Sequence, residues 1–392
     1  MIKKKKMALF ISMTLVLTCS LSNLCYASVQ SKEKIVTTGS SVTIQMNDNL
    51  SSNDLSEIKE NINGVLSAKY EIMKDGNSNS SDYILPDSKL SQLIDSTNDF
   101  EKEWYKKVDL KISDYNPTVK IDQIKNVSEN TYEAEVTYDV EFTLSGSDSK
   151  SSSSGEKYKF EIKNEDGNWY ISKMLNLEED LYSSNDNLNS IKLLKGHNDF
   201  ENYDKTINQK IEYIDNITKN IDKYLNEYKE SNSINQLTAN KAVRAASYSG
   251  YDAEAAVDYA KLWGNGRNSD YPDYGDEDCT NFVSQCAYAG GIPGSSYWYS
   301  GSASWINVIK FYKYMNDNGY TSGGNSSSGA RNGDIIQFYN SNKGTWSHSA
   351  ILTGYNNGWL YSAHSTNKVN YPLSAVYPSS TYTNLRYIKF WH

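Results

Sequence analysis

Two side chains in this sequence pair a nucleophile with a base, Cys279 and His348. Cys279 follows Asp276, Glu277 and Asp278 and opens the run Cys279-Thr280-Asn281-Phe282-Val283-Ser284-Gln285-Cys286. Asp is a good helix N-cap, so Cys279 is expected in the first turn of a helix over 278–289 that ends at Gly290-Gly291. Unpaired backbone N–H groups and the helix dipole at that position favour a thiolate over a thiol. The same N–H groups can hold the oxyanion formed when sulfur attacks a carbonyl. The three preceding acids oppose the thiolate unless their side chains turn to backbone donors or solvent.

A thiolate nucleophile needs a base, and His348 opens a strand in Ser347-His348-Ser349-Ala350-Ile351-Leu352. A third group should orient the imidazole. Asn356-Asn357-Gly358 is a tight turn, and folding back through it sets His348 opposite 365–367. His364, Ser365 and Asn367 are then within reach. His364 is favoured, because one ring nitrogen can accept from His348 while the other donates elsewhere. Asn281 and Gln285 are candidates to line a substrate cleft, and Trp298, Tyr299 and Trp305 to form an aromatic wall. Cys286, two turns below Cys279, is read as core, and His197 and His392 as surface residues. Cys279 and Cys286 lie about 10 Å apart along one helix, beyond the roughly 7 Å that a disulfide spans. Both thiols are therefore expected free. The C-x6-C spacing presents one thiol at any given spot, unlike the C-x2-4-C pairs of zinc sites, so neither a metal nor another cofactor is expected.

These residues need a scaffold. Before Cys279, a helix is expected over 252–263; after it, strands over 334–339, 347–355, 359–364 and 386–390. Helices followed by an antiparallel sheet make an α+β arrangement. Upstream, apolar residues three and four apart predict helices over 50–72 and 87–106. Tyr132, Ala134, Val136, Tyr138, Val140, Phe142 and Leu144 alternate as a strand with one buried face. The serine-rich run 145–155 reads as a flexible hairpin loop. Tyr158, Phe160 and Ile162 lie on the return strand, and 169–175 form the next after the turn Asp166-Gly167-Asn168. This first unit resembles the cystatin-like folds that curl a sheet around a helix. Residues 203–228 carry Ile207, Ile211, Ile214, Ile217, Ile221 and Tyr224 at helical spacing, a helix of about 39 Å.

The N-terminus has Lys3–Lys6, an apolar run from Met7 to Leu17 and the small-residue exit Cys25-Tyr26-Ala27. That is the layout of a cleaved export signal, with an uncleaved anchor as the alternative. Cleavage after Ala27 removes four lysines and no acid, taking the net charge from −9 to −13. So acidic a chain is a poor partner for nucleic acid. No second segment is apolar and long enough to span a membrane. The expected organisation is a signal peptide over 1–27, an α+β accessory domain over 28–180, a helical stalk over 181–230, a linker over 231–247 and a catalytic domain over 248–392.

The residues Ala256-Val257-Asp258-Tyr259-Ala260, Asp278-Cys279-Thr280-Asn281-Phe282-Val283-Ser284-Gln285-Cys286, Ser304-Trp305, Gly333-Asp334-Ile335-Ile336 and His348-Ser349-Ala350-Ile351 resemble the putative amidase domain family. That family is similar to the papain-like cell-wall hydrolases, including the cysteine/histidine amidohydrolase-peptidase group. The resemblance covers about 248–390. It implies a papain-like fold, Cys279 as nucleophile, His348 as base and a polar third residue at or near His364. It also implies hydrolysis of amide bonds, with peptidoglycan or a peptide as substrate; the expected export signal would place the protein at the cell wall or outside the cell. Members often carry a glycine pair before the Asp-Cys, where this chain has Asp276-Glu277. The alternative is a surface-binding or scaffold module that keeps the fold without turnover.

Overall fold

The computed structural model describes residues 50–181, 199–237 and 250–391. The expected signal segment 1–27, His197, His392 and the larger part of the expected linker lie outside those residues.

Helix α1 (Ser52–Asp75) starts at a capping box, in which Ser51 and Asp54 exchange side-chain and backbone hydrogen bonds. It packs with α2 (Lys89–Val108) on four antiparallel strands, β1 (Ile112–Ser128), β2 (Thr131–Leu144), β3 (Lys150–Glu165) and β4 (Asn168–Asn176). The alternation in β2 is realised, since all seven residues from Tyr132 to Leu144 on that face are buried. The expected single helix over 203–228 is two helices, α3 (Tyr203–Lys219) and α4 (Ile221–Leu237), broken at Asn220. The Asn220 side chain bonds back to the Asn216 carbonyl, 2.8 Å away. Such a short polar side chain competes with the helical ladder for its own backbone. Ile207, Ile214, Ile217, Ile221 and Tyr224 are buried. Helix α4 also runs into the stretch expected as linker.

The C-terminal part begins with α5 (Ala253–Trp263), α6 (Cys279–Ala289) and α7 (Val308–Asp317). Its strands are β5 (Thr321–Gly324), β6 (Ile335–Asn340), β7 (Thr345–Tyr355), β8 (Trp359–Ala363), β9 (Asn367–Pro372) and β10 (Tyr382–Phe390). The architecture is α+β. Among the described residues the strands form one antiparallel sheet in the order β1-β2-β3-β9-β8-β7-β6-β10-β5, with β4 alongside β3. Side chains alternate across a strand, so β6, β7 and β10 serve two cores. Ile335, Ile351 and Ile388 pack under α5–α7. Ile336, Phe338, Ala350, Leu352 and Tyr387 join the core of α1 and α2.

The serine run is a correction to the expected loop. Only 145–149 turn; Ser152–Ser154 of β3 pair with Val369, Lys368 and Asn367 of β9. Ser151, Ser152 and Ser153 are buried, and Ser151 Oγ donates to the Asn370 carbonyl at 2.7 Å. Composition signals a loop because it shows no partner strand; here β2 and β9 satisfy the backbone from both sides.

The two parts are also joined side chain to side chain. Trp104 Nε1 donates to the Ser374 carbonyl at 2.9 Å, and the Tyr70 and Tyr371 hydroxyls are 2.9 Å apart. Replacing Trp104 by Ala empties a fully buried site and should destabilise the chain by about 3–5 kcal/mol, read as a lower denaturant midpoint with an unchanged slope.

Candidate active site

Cys279 is the first residue of α6, and no side chain caps that helix. Asp278 stands at the N-cap position without serving it, a correction to its expected role. Its Oδ1 accepts from the Tyr274 N–H at 3.1 Å and from Asn281 Nδ2 at 2.8 Å, and its Oδ2 lies 2.7 Å from His364 Nδ1 and 3.5 Å from Arg267 Nε. The first-turn N–H groups have no helical carbonyl to bond, and without a cap they are left beside the sulfur. The helix end is tied to the sheet by a polar chain. Cys279 Sγ is 3.7 Å from Thr280 Oγ1, Thr280 Oγ1 is 3.1 Å from Ser349 Oγ on β7, and Gln337 Nε2 donates to Ser349 Oγ at 3.0 Å.

His348, opposite Phe338 in the β6–β7 ladder, meets both the Cys279 thiol and the Glu178 carboxylate. Its Nδ1 lies 3.0 Å from Glu178 Oε1. Burial disfavours an imidazolium, yet Glu178 and the Cys279 sulfur hold the His348 pKa up at about 10. Burial likewise opposes the charge on Glu178, but His348, Thr366 and Lys368 keep its carboxyl below the ordinary range.

The three acids before Cys279 are each disarmed differently. Lys157 Nζ of β3 lies 2.8 Å from both oxygens of Asp276. Burial pushes Glu277 up, toward its neutral form. Asp278, fully buried, is enclosed by the donors named above.

The other expected site residues are not at the Cys279–His348 pair. His364 does not orient His348: its Nδ1 meets Asp278, and its Nε2 lies 2.8 Å from the Trp263 carbonyl. Strand β8 ends at Ala363 and Ser365 takes φ 79°, so the chain leaves the register before reaching His348; the His364 ring instead stacks on Phe282. Asn367 Oδ1 accepts from Arg267 Nη1 at 2.7 Å. Asn281, Gln285 and Trp305 are buried and bonded internally, which corrects their reading as cleft residues. Trp305 Nε1 donates to Asn281 Oδ1, Asn281 Nδ2 donates to the Pro272 carbonyl, and Gln285 Oε1 accepts from Tyr259. Trp298 and Trp305 pack ring on ring at 4.5 Å in the core, whereas Tyr299 is exposed. Cys286 is buried and free, as is Cys279; burial pushes the Cys286 thiol well up. Among the described residues no group of three or more His, Cys, Asp or Glu side chains is arranged to hold a metal.

Sequence reasoning missed Glu178 and Lys157. The only local sign is the acidic triplet Glu178-Glu179-Asp180 directly after β4, and no spacing rule connects it to a histidine 170 residues on.

A cysteine opening a helix, a histidine facing it from the adjoining sheet and a buried Asp-Cys step define the segment. Residues 250–388 match the putative amidase domain. The chain is 36% identical over 153 residues to the uncharacterized protein YjcM of Bacillus subtilis (strain 168), which is 36% of each chain. It is 32% identical over 129 residues to the uncharacterized protein YhbB of the same organism, 28% of this chain and 39% of that one. The chain thus spans little more than a third of the length of these curated relatives. An amidase-like hydrolase is the activity the family indicates for this amidase segment.

Asp278→Ala should leave His364 Nδ1 and Asn281 Nδ2 of the amidase segment short of a buried acceptor, costing about 1–3 kcal/mol. Equilibrium unfolding in urea reads the loss.

Proposed function

We propose that the chain is an exported cysteine amidohydrolase that cleaves amide bonds in peptidoglycan, as amidase or endopeptidase, with Cys279 as nucleophile and His348 as base. The observation that carries this reading is the meeting of the Cys279 thiol and the His348 imidazole at the uncapped start of α6. His348 takes the thiol proton, and the sulfur adds to the amide carbonyl. First-turn N–H groups of α6 hold the oxyanion. As the C–N bond breaks, His348 returns the proton to the leaving amine, leaving a thioester. His348 then takes a proton from water, whose oxygen adds to the thioester carbonyl, and the acid and the thiol are released. The papain-like arrangement of helix and sheet, the division into accessory and catalytic domains, and export directed by 1–27 belong to the same proposal. The basic and apolar composition of that N-terminal segment supports export.

The test is release of amino groups from purified peptidoglycan by the full chain beside Cys279→Ala. Wild type should release them and the variant should lose at least about a hundred-fold in rate. Release by neither protein moves the non-catalytic binding module ahead; equal release by both excludes Cys279 as nucleophile. Iodoacetamide at neutral pH should modify Cys279 and spare Cys286 until the chain unfolds, since burial keeps the Cys286 thiol protonated. The sites are read by peptide mass spectrometry.

A further inference from the structure

Glu178 belongs to the N-terminal part of the chain, in the turn Leu177–Leu181 that follows β4. Its two carboxylate oxygens have separate tasks. Oε1 faces His348 Nδ1, and Oε2 accepts from the Thr366 N–H at 3.1 Å and from Thr366 Oγ1 at 2.6 Å. The turn itself is braced from both parts. Lys343 Nζ donates to the Glu178 carbonyl, Asn340 Nδ2 to the Glu179 carbonyl at 2.8 Å, and Thr381 Oγ1 to Glu179 Oε2 at 2.9 Å. On the N-terminal side, Asp180 lies 2.7 Å from Lys210 Nζ, and Asn176 N–H donates to Asp180 Oδ2 at 2.9 Å. The carboxylate is therefore held in place before any substrate arrives.

Within the amidase segment, the two residues best suited to orient His348 are engaged elsewhere: His364 on Asp278 and the Trp263 carbonyl, Asn367 on Arg267. The N-terminal part also reaches the other side of the chemistry, where Lys157 pairs with Asp276 three residues before the nucleophile. A carboxylate accepting from Nδ1–H selects the imidazole tautomer, leaves Nε2 for the thiol and stabilises the imidazolium formed when the thiol ionises.

Resting on the cysteine amidohydrolase reading, we propose that Glu178 is the positioning residue that orients His348, so that the active site is completed only by the N-terminal part of the chain. The charged and titratable groups facing Glu178 and His348 are Cys279 from α6, Lys343 from the β6–β7 turn, Tyr361 from β8, Lys368 from β9 and Tyr382 from β10. The two lysines are bonded or paired elsewhere as well, Lys343 to a carbonyl and Lys368 to Glu156. Glu178 is the carboxylate bonded to the imidazole.

The experiment compares wild type, Glu178→Gln, Glu178→Asp and Glu178→Ala in the full chain. It reads kcat/KM for amino-group release from peptidoglycan and the pH dependence of Cys279 alkylation. Gln keeps the shape and one acceptor but removes the charge. Glu178→Gln should lower kcat/KM at least about ten-fold with an unchanged melting temperature. The alkaline limb of its pH profiles should move down, because His348 loses the anion that favours its protonated form. Glu178→Asp should recover part of the rate. Wild-type rates and profiles in both Gln and Ala variants overturn the proposal while leaving the Cys279 reading intact. A rate above wild type also overturns it, and assigns the turn as a cover over the site. Activity surviving in Cys279→Ala would instead sink the underlying reading.

Discussion

Three residue pairs between β3 and β9 carry the sheet from the N-terminal part of the chain into the amidase segment. The backbone groups at Ser152–Ser154 are buried or half-buried, and such groups must be bonded. That requirement fixes one register between two stretches more than 200 residues apart. Beside the joint, Glu156 is bonded to Ser153, Tyr158 and Lys368, so even the charge there is matched across the two parts. Burial disfavours that charge, yet Lys368 and Lys69 keep Glu156 well below the usual carboxylate range.

Once this joint is set, the rest of the centre follows from strand geometry. Lys157 is three residues beyond the joint on β3 and meets Asp276. Glu178 follows β4 and meets His348. The amidase segment contributes the thiol and the imidazole, and the N-terminal part contributes the opposite charges on either side of them. That arrangement answers the electrostatic difficulty of three acids directly before Cys279. One acid is paired with a lysine from outside the segment, one is pushed toward neutrality by burial, and one is consumed in holding His364, Asn281 and Arg267.

The buried polar cluster around Asp278 shows why local reasoning assigned roles to the wrong residues. His364, Asn281, Gln285 and Trp305 are chemically suited to a cleft, and all lie close to Cys279 in the sequence or the fold. Their side chains are nevertheless spent on one another, on Tyr259 and Asp278, and on backbone carbonyls. They build the platform from which α6 presents its first residue. A buried polar group is costly unless bonded, so a cluster of this kind is stable only when complete.

What the sequence determined by itself is whatever rests on short-range periodicity and local chemistry. The alternation of β2, the helices around Ile58 and Leu93, the helix opened by Cys279 and the strand that bears His348 were all legible, because each is set by neighbours within a few residues. The break at Asn220 was not, since a helical pattern continues through it. The fate of the serine run, the partner of His348 and the neutralisation of Asp276 were decided by the tertiary structure. Each depends on which strand lies beside which, and pairing across hundreds of residues leaves no periodic trace in composition.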